Sequence, residues 1–191
     1  LEPHWPALQA AGVVDLVRRP SGGRAVLHAG ELTYALAWRP PSPRRHDAYI
    51  QSCQWLQTVF SQLALPLQFG RAAAATAHGS ASCFATGTAA DLVHANGAKR
   101  IGSAQLWRGS CLLQHGSILL DPPVALWREV FGAEPPVLPP LPAERGSPPL
   151  ITLLRQCAER DLCAAPLLEK PLSVREWREV LHTKTAPDGA V

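Results

Sequence analysis

An Asn-Gly pair constrains the fold more than any other feature of this sequence. Asn96-Gly97 stands between Asp91-Leu92-Val93-His94 and Lys99-Arg100-Ile101-Gly102. Asn-Gly is favoured in a tight primed turn, whose twist matches that of two antiparallel strands. The chain is therefore expected to double back there as a β-hairpin, so a sheet is part of the fold. Further strands are expected at residues 13–17, 25–28, 32–38 and 112–120, the last stopped by Pro122-Pro123. Between 46 and 63, Ala48, Ile50, Cys53, Leu56, Val59, Phe60 and Leu63 recur at three- and four-residue spacing, which predicts an amphipathic helix. Asp47 suits the dipole at its start. Shorter helices are expected at 124–131, 150–163 and 173–182, the last opened by Ser173 and Glu176 at capping-box spacing.

Strands in the first two thirds and helices after them predict the α/β (α+β) class, a mixed β-sheet flanked by helices. A length of 191 residues with 47% hydrophobic and 17% charged residues suits one domain over 1–191. Within it, 134–149 reads as a proline-rich connector, 150–183 as C-terminal helices and 185–191 as a loose tail. The chain opens at Leu1 and has no methionine, so its native start is expected to be missing. No apolar stretch reaches the roughly 18 residues that span a bilayer, and the order of a signal peptide is absent. A cytoplasmic protein without membrane contact is expected. The net charge is +3, with basic residues in the pairs Arg18-Arg19, Arg44-Arg45 and Lys99-Arg100, which argues against a nucleic-acid partner. Cys53, Cys83, Cys111, Cys157 and Cys163 form an odd set without a C-x-x-C pair, so neither a disulfide framework nor a metal site is expected.

Three places can carry chemistry. The amides of Ser21-Gly22-Gly23-Arg24 and its guanidinium can hold a carboxylate, a phosphate or a thioester carbonyl; the same residues also read as a plain hairpin turn. Lys99 lies beside Gly102-Ser103-Ala104, small residues that let a ligand approach the backbone. There it can donate to a reacting carbonyl oxygen, and it also reads as a solvated strand-end lysine. Cys83 follows the small-residue loop 72–82 and is the best thiol nucleophile by position, since a cation such as Lys99 would stabilise charge on its sulfur. A lone cysteine also reads as a small hydrophobe. His28 and His115 can orient a ligand, shuttle a proton or be structural. Taken singly, none of these residues names a reaction.

Longer strings narrow the choice. Arg18-Arg19-Pro20-Ser21-Gly22-Gly23-Arg24-Ala25-Val26-Leu27-His28, followed by Glu31-Leu32-Thr33-Tyr34, resembles the arginine and glycine motif of the lipoate-protein ligase A and octanoyltransferase family. Lys99-Arg100-Ile101-Gly102-Ser103-Ala104-Gln105, with Leu113-Gln114-His115-Gly116-Ser117-Ile118-Leu119-Leu120 after it, resembles that family's lysine motif and downstream strand. The resemblance implies the biotin and lipoate ligase catalytic fold, an acyl tunnel beside the glycine motif, and Lys99 on the acyl carbonyl. It implies Arg19, Ser21, Gly22, Gly23, Arg24, His28, Gly102, Ser103, Ala104, His115 and Gly116 as substrate-binding positions.

Cys83-Phe84 stands where cysteine-dependent octanoyltransferases carry their nucleophile, whereas Ala90-Asp91 keeps one half of the ligases' Asn-Asp pair. The leading implication is an acyltransferase that needs no cofactor. It would move an octanoyl group from acyl carrier protein through Cys83 to a lysine of a lipoyl-domain protein, such as glycine cleavage H protein or a 2-oxoacid dehydrogenase E2 subunit. The alternatives are a lipoate-protein ligase using ATP and Mg, and a non-catalytic acyl or lipoyl-protein binding module.

Overall fold

The apolar stripe between residues 46 and 63 forms the longest helix among the described residues, and the sheet is built against it. The computed structural model describes residues 2–42, 44–70, 81–85, 91–142 and 149–184. Its elements are α1 (Trp5–Ala10), β1 (Glu31–Trp38), α2 (Arg45–Gln62), β2 (Gln68–Phe69), β3 (Leu92–Val93), β4 (Lys99–Arg108), β5 (Cys111–Leu119), α3 (Val124–Phe131), α4 (Leu150–Ala158) and α5 (Val174–Lys184). A π-turn over Glu159–Cys163 extends α4, so helical structure runs through the whole expected interval 150–163.

Among the described residues five strands form one sheet in the order β1-β5-β4-β3-β2, each antiparallel to its neighbours. Side chains alternate between its faces. One face carries Leu32, Tyr34, Ile101, Ser103, Gln114, Gly116 and Ile118; the other carries Glu31, Thr33, Gly102, Ala104, His115, Ser117 and Leu119. Helix α2 covers the first face, burying Cys53, Leu56, Val59 and Phe60 with Ile101 and Ile118, while α4 adds Leu153, Leu154 and Cys157. Each fully buried large side chain there contributes about 1.5–3 kcal/mol. On the second face Trp5 of α1 and Trp127 and Val130 of α3 gather with Leu27, Phe84 and Leu119. Trp5 Nε1 pins the two helices together by donating to the Val130 carbonyl at 2.7 Å.

Residues 13–17 and 25–28 are not strands, contrary to expectation. Val17 is 88% exposed, so β-branched content there has no sheet to enter. Within 25–28 the only pairing among the described residues is an isolated parallel bridge between Ala25 and Ser82. Ser21-Gly22-Gly23-Arg24 is consequently a loop and no hairpin turn, and both glycines adopt positive φ, 65° and 92°.

The reversal at 94–98 falls where expected, but its geometry differs. The Gly97 N–H donates to the His94 carbonyl, and the His94 N–H to the Ala98 carbonyl. Gly97 has a φ of 83° while Asn96 stays out of the left-handed region, so this is a three-residue loop closed by a left-handed glycine rather than a two-residue primed turn. The capping box forms: the Ser173 N–H donates to Glu176 Oε2 at 2.8 Å and the Glu176 N–H to Ser173 Oγ at 3.2 Å. All five cysteines are free, and no helix among the described residues is long and apolar enough to cross a membrane. The tail at 185–191, most of the loop at 72–82 and positions 143–148 of the connector lie outside the described residues.

Candidate active site

Lys99 reaches its position through an irregularity in the sheet. Leu92 pairs with Ile101 and Val93 with Lys99, so Arg100 has no counterpart and β4 carries a one-residue bulge. In a regular strand Lys99 would share the α2 face with Ile101. Here it lies beside Gly102, whose missing Cβ would sit 3.0 Å from Lys99 Cε. Lys99 Nζ pairs with Asp91 Oδ1 at 2.8 Å, both side chains being at most 5% exposed. It donates to the Cys83 carbonyl at 2.8 Å and to Cys83 Sγ at 3.4 Å, and stands 5.0 Å from the centre of the Phe84 ring. A charge this deeply buried persists because every one of its donors meets an acceptor and one acceptor is an anion. Asp91 is fixed in turn by the Gly70 N–H, which donates to its carbonyl at 2.8 Å.

The bulged Arg100 is buried and ties three segments together. Its Nε donates to His94 Nε2 at 2.9 Å, Nη1 to the Leu119 carbonyl at 2.8 Å, and Nη2 to the Pro139 carbonyl. Burial and the guanidinium charge push His94 down to about 4, so its ring accepts as the neutral form. This anchor holds the proline-rich segment over the sheet. Ala133, Glu134, Pro136 and Val137 line a cleft of about 470 Å³ together with Phe84, Asn96, Lys99 and Trp127.

Cys83 begins a single 3₁₀ turn, Cys83–Ala85. Its N–H donates to the Ala25 carbonyl at 2.8 Å, and the Ala25 N–H to the Ala81 carbonyl at 3.0 Å. The segment once expected as a strand thus joins the glycine loop to the cysteine turn. The Phe84 N–H donates to Ser82 Oγ at 3.2 Å and the Ala85 N–H to the Ser82 carbonyl at 3.3 Å. All three amides of the turn are therefore committed, and among the described residues the donor at the sulfur is the Lys99 ammonium. Phe84 is wedged edge-on against Trp127 at 6.2 Å, which fixes the turn. Burial pushes the Cys53 thiol up to about 12 and raises Cys157, leaving both poor nucleophiles.

Of the positions expected to bind substrate, Gly102, Ala104 and His115 share the Lys99 face, with Gly102 opposite Ser117 and Ala104 opposite His115. Ser21 Oγ bonds His115 Nε2 at 2.7 Å, which docks the glycine loop on this face. Burial, with the charges of Arg19 and His28, lowers the pKa of His115. Arg19 donates to the Arg24 carbonyl at 2.8 Å, and a Cβ on Gly23 would lie 2.8 Å from Arg19 Nη2; Gly22 and Arg24 are exposed on this closed loop. His28 is largely exposed and pairs with Glu31, which also accepts from Ser117 Oγ. Burial raises the Glu31 carboxyl against the lowering effect of His28.

Ser103 and Gly116 lie elsewhere. Ser103 Oγ bonds the Tyr34 hydroxyl at 2.7 Å on the α2 face, and Gly116 leaves room for Tyr34 there. Sequence reasoning missed the Asp91–Lys99 pairing and the Glu31–Ser117 bond. The one available signal was an aspartate directly before Leu92-Val93. Ala90 lies outside the described residues.

Residues 5–122 match the sequence model of the Biotin/lipoate A/B protein ligase family. The octanoyltransferase LipM of Moorella thermoacetica is 36% identical over 113 residues, covering 56% of this chain and 41% of that protein. The octanoyltransferase LipM of Symbiobacterium thermophilum is 32% identical over 179 residues, covering 88% of this chain and 60% of that protein. The chain thus spans less than two thirds of these curated relatives. Among solved structures, protein Ta0514 from T. acidophilum with bound lipoic acid superposes with a TM-score of 0.72 at 16% identity, covering 94% of this chain and 72% of that one. At that identity the likeness bears on the fold.

Proposed function

Because the chain belongs to the biotin/lipoate A/B protein ligase family, we propose that it is an octanoyltransferase working through a Cys83 thioester. The observation that carries this reading is the buried Lys99 ammonium 3.4 Å from Cys83 Sγ, in a chain similar to proteins named octanoyltransferase LipM. The Cys83 sulfur attacks the thioester carbonyl of octanoyl acyl carrier protein. The carrier's sulfur leaves with the proton that Cys83 gives up, and the octanoyl group remains on Cys83. The unprotonated amine of a lysine on a lipoyl-domain protein then attacks the same carbonyl. An amide C–N bond forms, the C–S bond to Cys83 breaks, and a proton from the amine returns to the sulfur. Both steps pass through a tetrahedral oxyanion, for which the Lys99 ammonium, the donor to Cys83 Sγ among the described residues, is the stabilising group. The thioester carries the activation, so neither nucleotide nor metal takes part. In this reading the acyl chain lies beside the glycine loop that Ser21 docks on His115. The setting is the cytoplasm.

The test is transfer from octanoyl carrier protein to a lipoyl domain, followed by intact mass. Wild type is expected to octanoylate the domain without ATP, and Cys83→Ala to lose transfer. A wild type that instead needs ATP and exchanges pyrophosphate in a lipoate-dependent manner would be a ligase, and carrier binding without turnover would leave only a binding module.

A further inference from the structure

We infer that Asp91 is a positioning residue whose carboxylate aims the third N–H of the Lys99 ammonium, so that this one donor passes from the Cys83 sulfur to the acyl oxygen during the reaction. The inference rests on the octanoyltransferase reading above and deepens it. An ammonium has three donors. In Lys99 one is held by Asp91 Oδ1 at 2.8 Å and a second by the Cys83 carbonyl at 2.8 Å, while the third meets Cys83 Sγ at the longer distance of 3.4 Å. The first two bonds are anchored in the fold, one through the Gly70 N–H on the Asp91 backbone and the other through the Ala25 bridge to the cysteine turn. The third is the one that chemistry can change.

A buried ion pair is weak evidence for a stabilising role, since a well-packed apolar pair does as well. This pair stands against the sulfur, on a bulge that turns Lys99 away from the α2 core. Its energetic consequence differs between the two half-reactions. Before acylation the third donor already bonds the sulfur; as the sulfur attacks, that bond is exchanged for one to the oxyanion. The gain is small, because ground and transition states are both bound. In the acyl-enzyme the sulfur belongs to a neutral thioester and accepts poorly. The donor then gains its charged partner only as the acceptor amine attacks, so the interaction is realised in the transition state alone. Loss of the Asp91 carboxylate must therefore slow discharge of the acyl-enzyme far more than its formation.

The experiment is rapid-quench mass spectrometry of the two half-reactions, using octanoyl carrier protein as donor and a lipoyl domain as acceptor. It compares wild type, Asp91→Asn and Asp91→Glu, with melting curves to confirm folding. Asp91→Asn is expected to form the octanoyl adduct within about threefold of the wild-type rate and to discharge it about 100-fold more slowly. Asp91→Glu, which keeps the charge, is expected to recover about tenfold of that loss. Discharge by Asp91→Asn at the wild-type rate overturns the inference while leaving the transferase reading intact, as does an equal slowing of both half-reactions, which is what a merely structural role produces. If Asp91→Asn does not fold, Asp91→Glu decides by the same ratio: selective slowing of discharge supports the inference, and equal slowing overturns it. Absence of any adduct on wild type removes the transferase reading and this inference with it.

Discussion

Replacing Gly102 by alanine perturbs the site by one methyl group whose position is known. The added Cβ would stand 3.0 Å from Lys99 Cε, 3.3 Å from Lys99 Nζ and 3.4 Å from Phe84 Cζ. Carbon atoms rest at about 3.5–4.0 Å, so the lysine stem must retreat by a few tenths of an ångström. Phe84 cannot absorb the movement alone, because Trp127 backs its ring. Nζ must then leave at least one of its contacts with Asp91, the Cys83 carbonyl and Cys83 Sγ. A misplacement of about 1 Å in a catalytic group lowers rates by about 100-fold, and half of that displacement corresponds to about tenfold. Overpacking at the end of a flexible side chain destabilises by about 1 kcal/mol. Gly102→Ala should therefore transfer octanoyl groups about tenfold more slowly while remaining folded. Single-turnover mass spectrometry alongside urea denaturation measures both quantities. Transfer within twofold of wild type would show that the Lys99 position does not govern the rate.

Gly116→Ala tests the opposite face, where the new Cβ would lie 2.5 Å from Tyr34 Cε1 and 2.8 Å from the Gly102 carbonyl oxygen. Backbone cannot retreat as a lysine stem can, so a loss of about 3 kcal/mol is expected, and an unchanged urea midpoint would contradict it. His94 is held near 4 in the fold against its ordinary 6.5, so the unfolded chain takes up its proton first as pH falls. Stability should accordingly decline by up to about 3 kcal/mol between pH 6.5 and 4. His94→Gln should remove most of that slope, and an unchanged slope in the variant would refute the assignment.

The parts of the fold that depend on local pattern were legible. The apolar spacing of α2, the capping box at Ser173 and the Pro122-Pro123 stop after β5 are all written within a few residues of where they act. Residues 13–17 misled because Val13, Val14 and Val17 have strand propensity, and propensity does not supply a neighbouring strand. Leu27 misled because a buried side chain in an irregular segment has no periodicity to betray it. The Asn96-Gly97 signal gave the place of the reversal and missed its type, since Asn96 Oδ1 accepts from the Ala98 N–H and stabilises the longer loop. At the site, Cys83 and Lys99 were legible through their motifs. Asp91 was not, because it meets Lys99 only through the extra residue Arg100, and a bulge is set by pairing between strands. The opposite faces of Gly102 and Ser103 likewise depend on register, which the motif string alone does not specify.

The most direct test is to mix the protein with octanoyl carrier protein in the absence of acceptor, quench, digest and locate the adduct by peptide mass. One octanoyl group is expected, carried by the peptide that contains Cys83 and discharged when a lipoyl domain is added. No adduct, or an adduct on the exposed Cys111 or Cys163 instead, would contradict it.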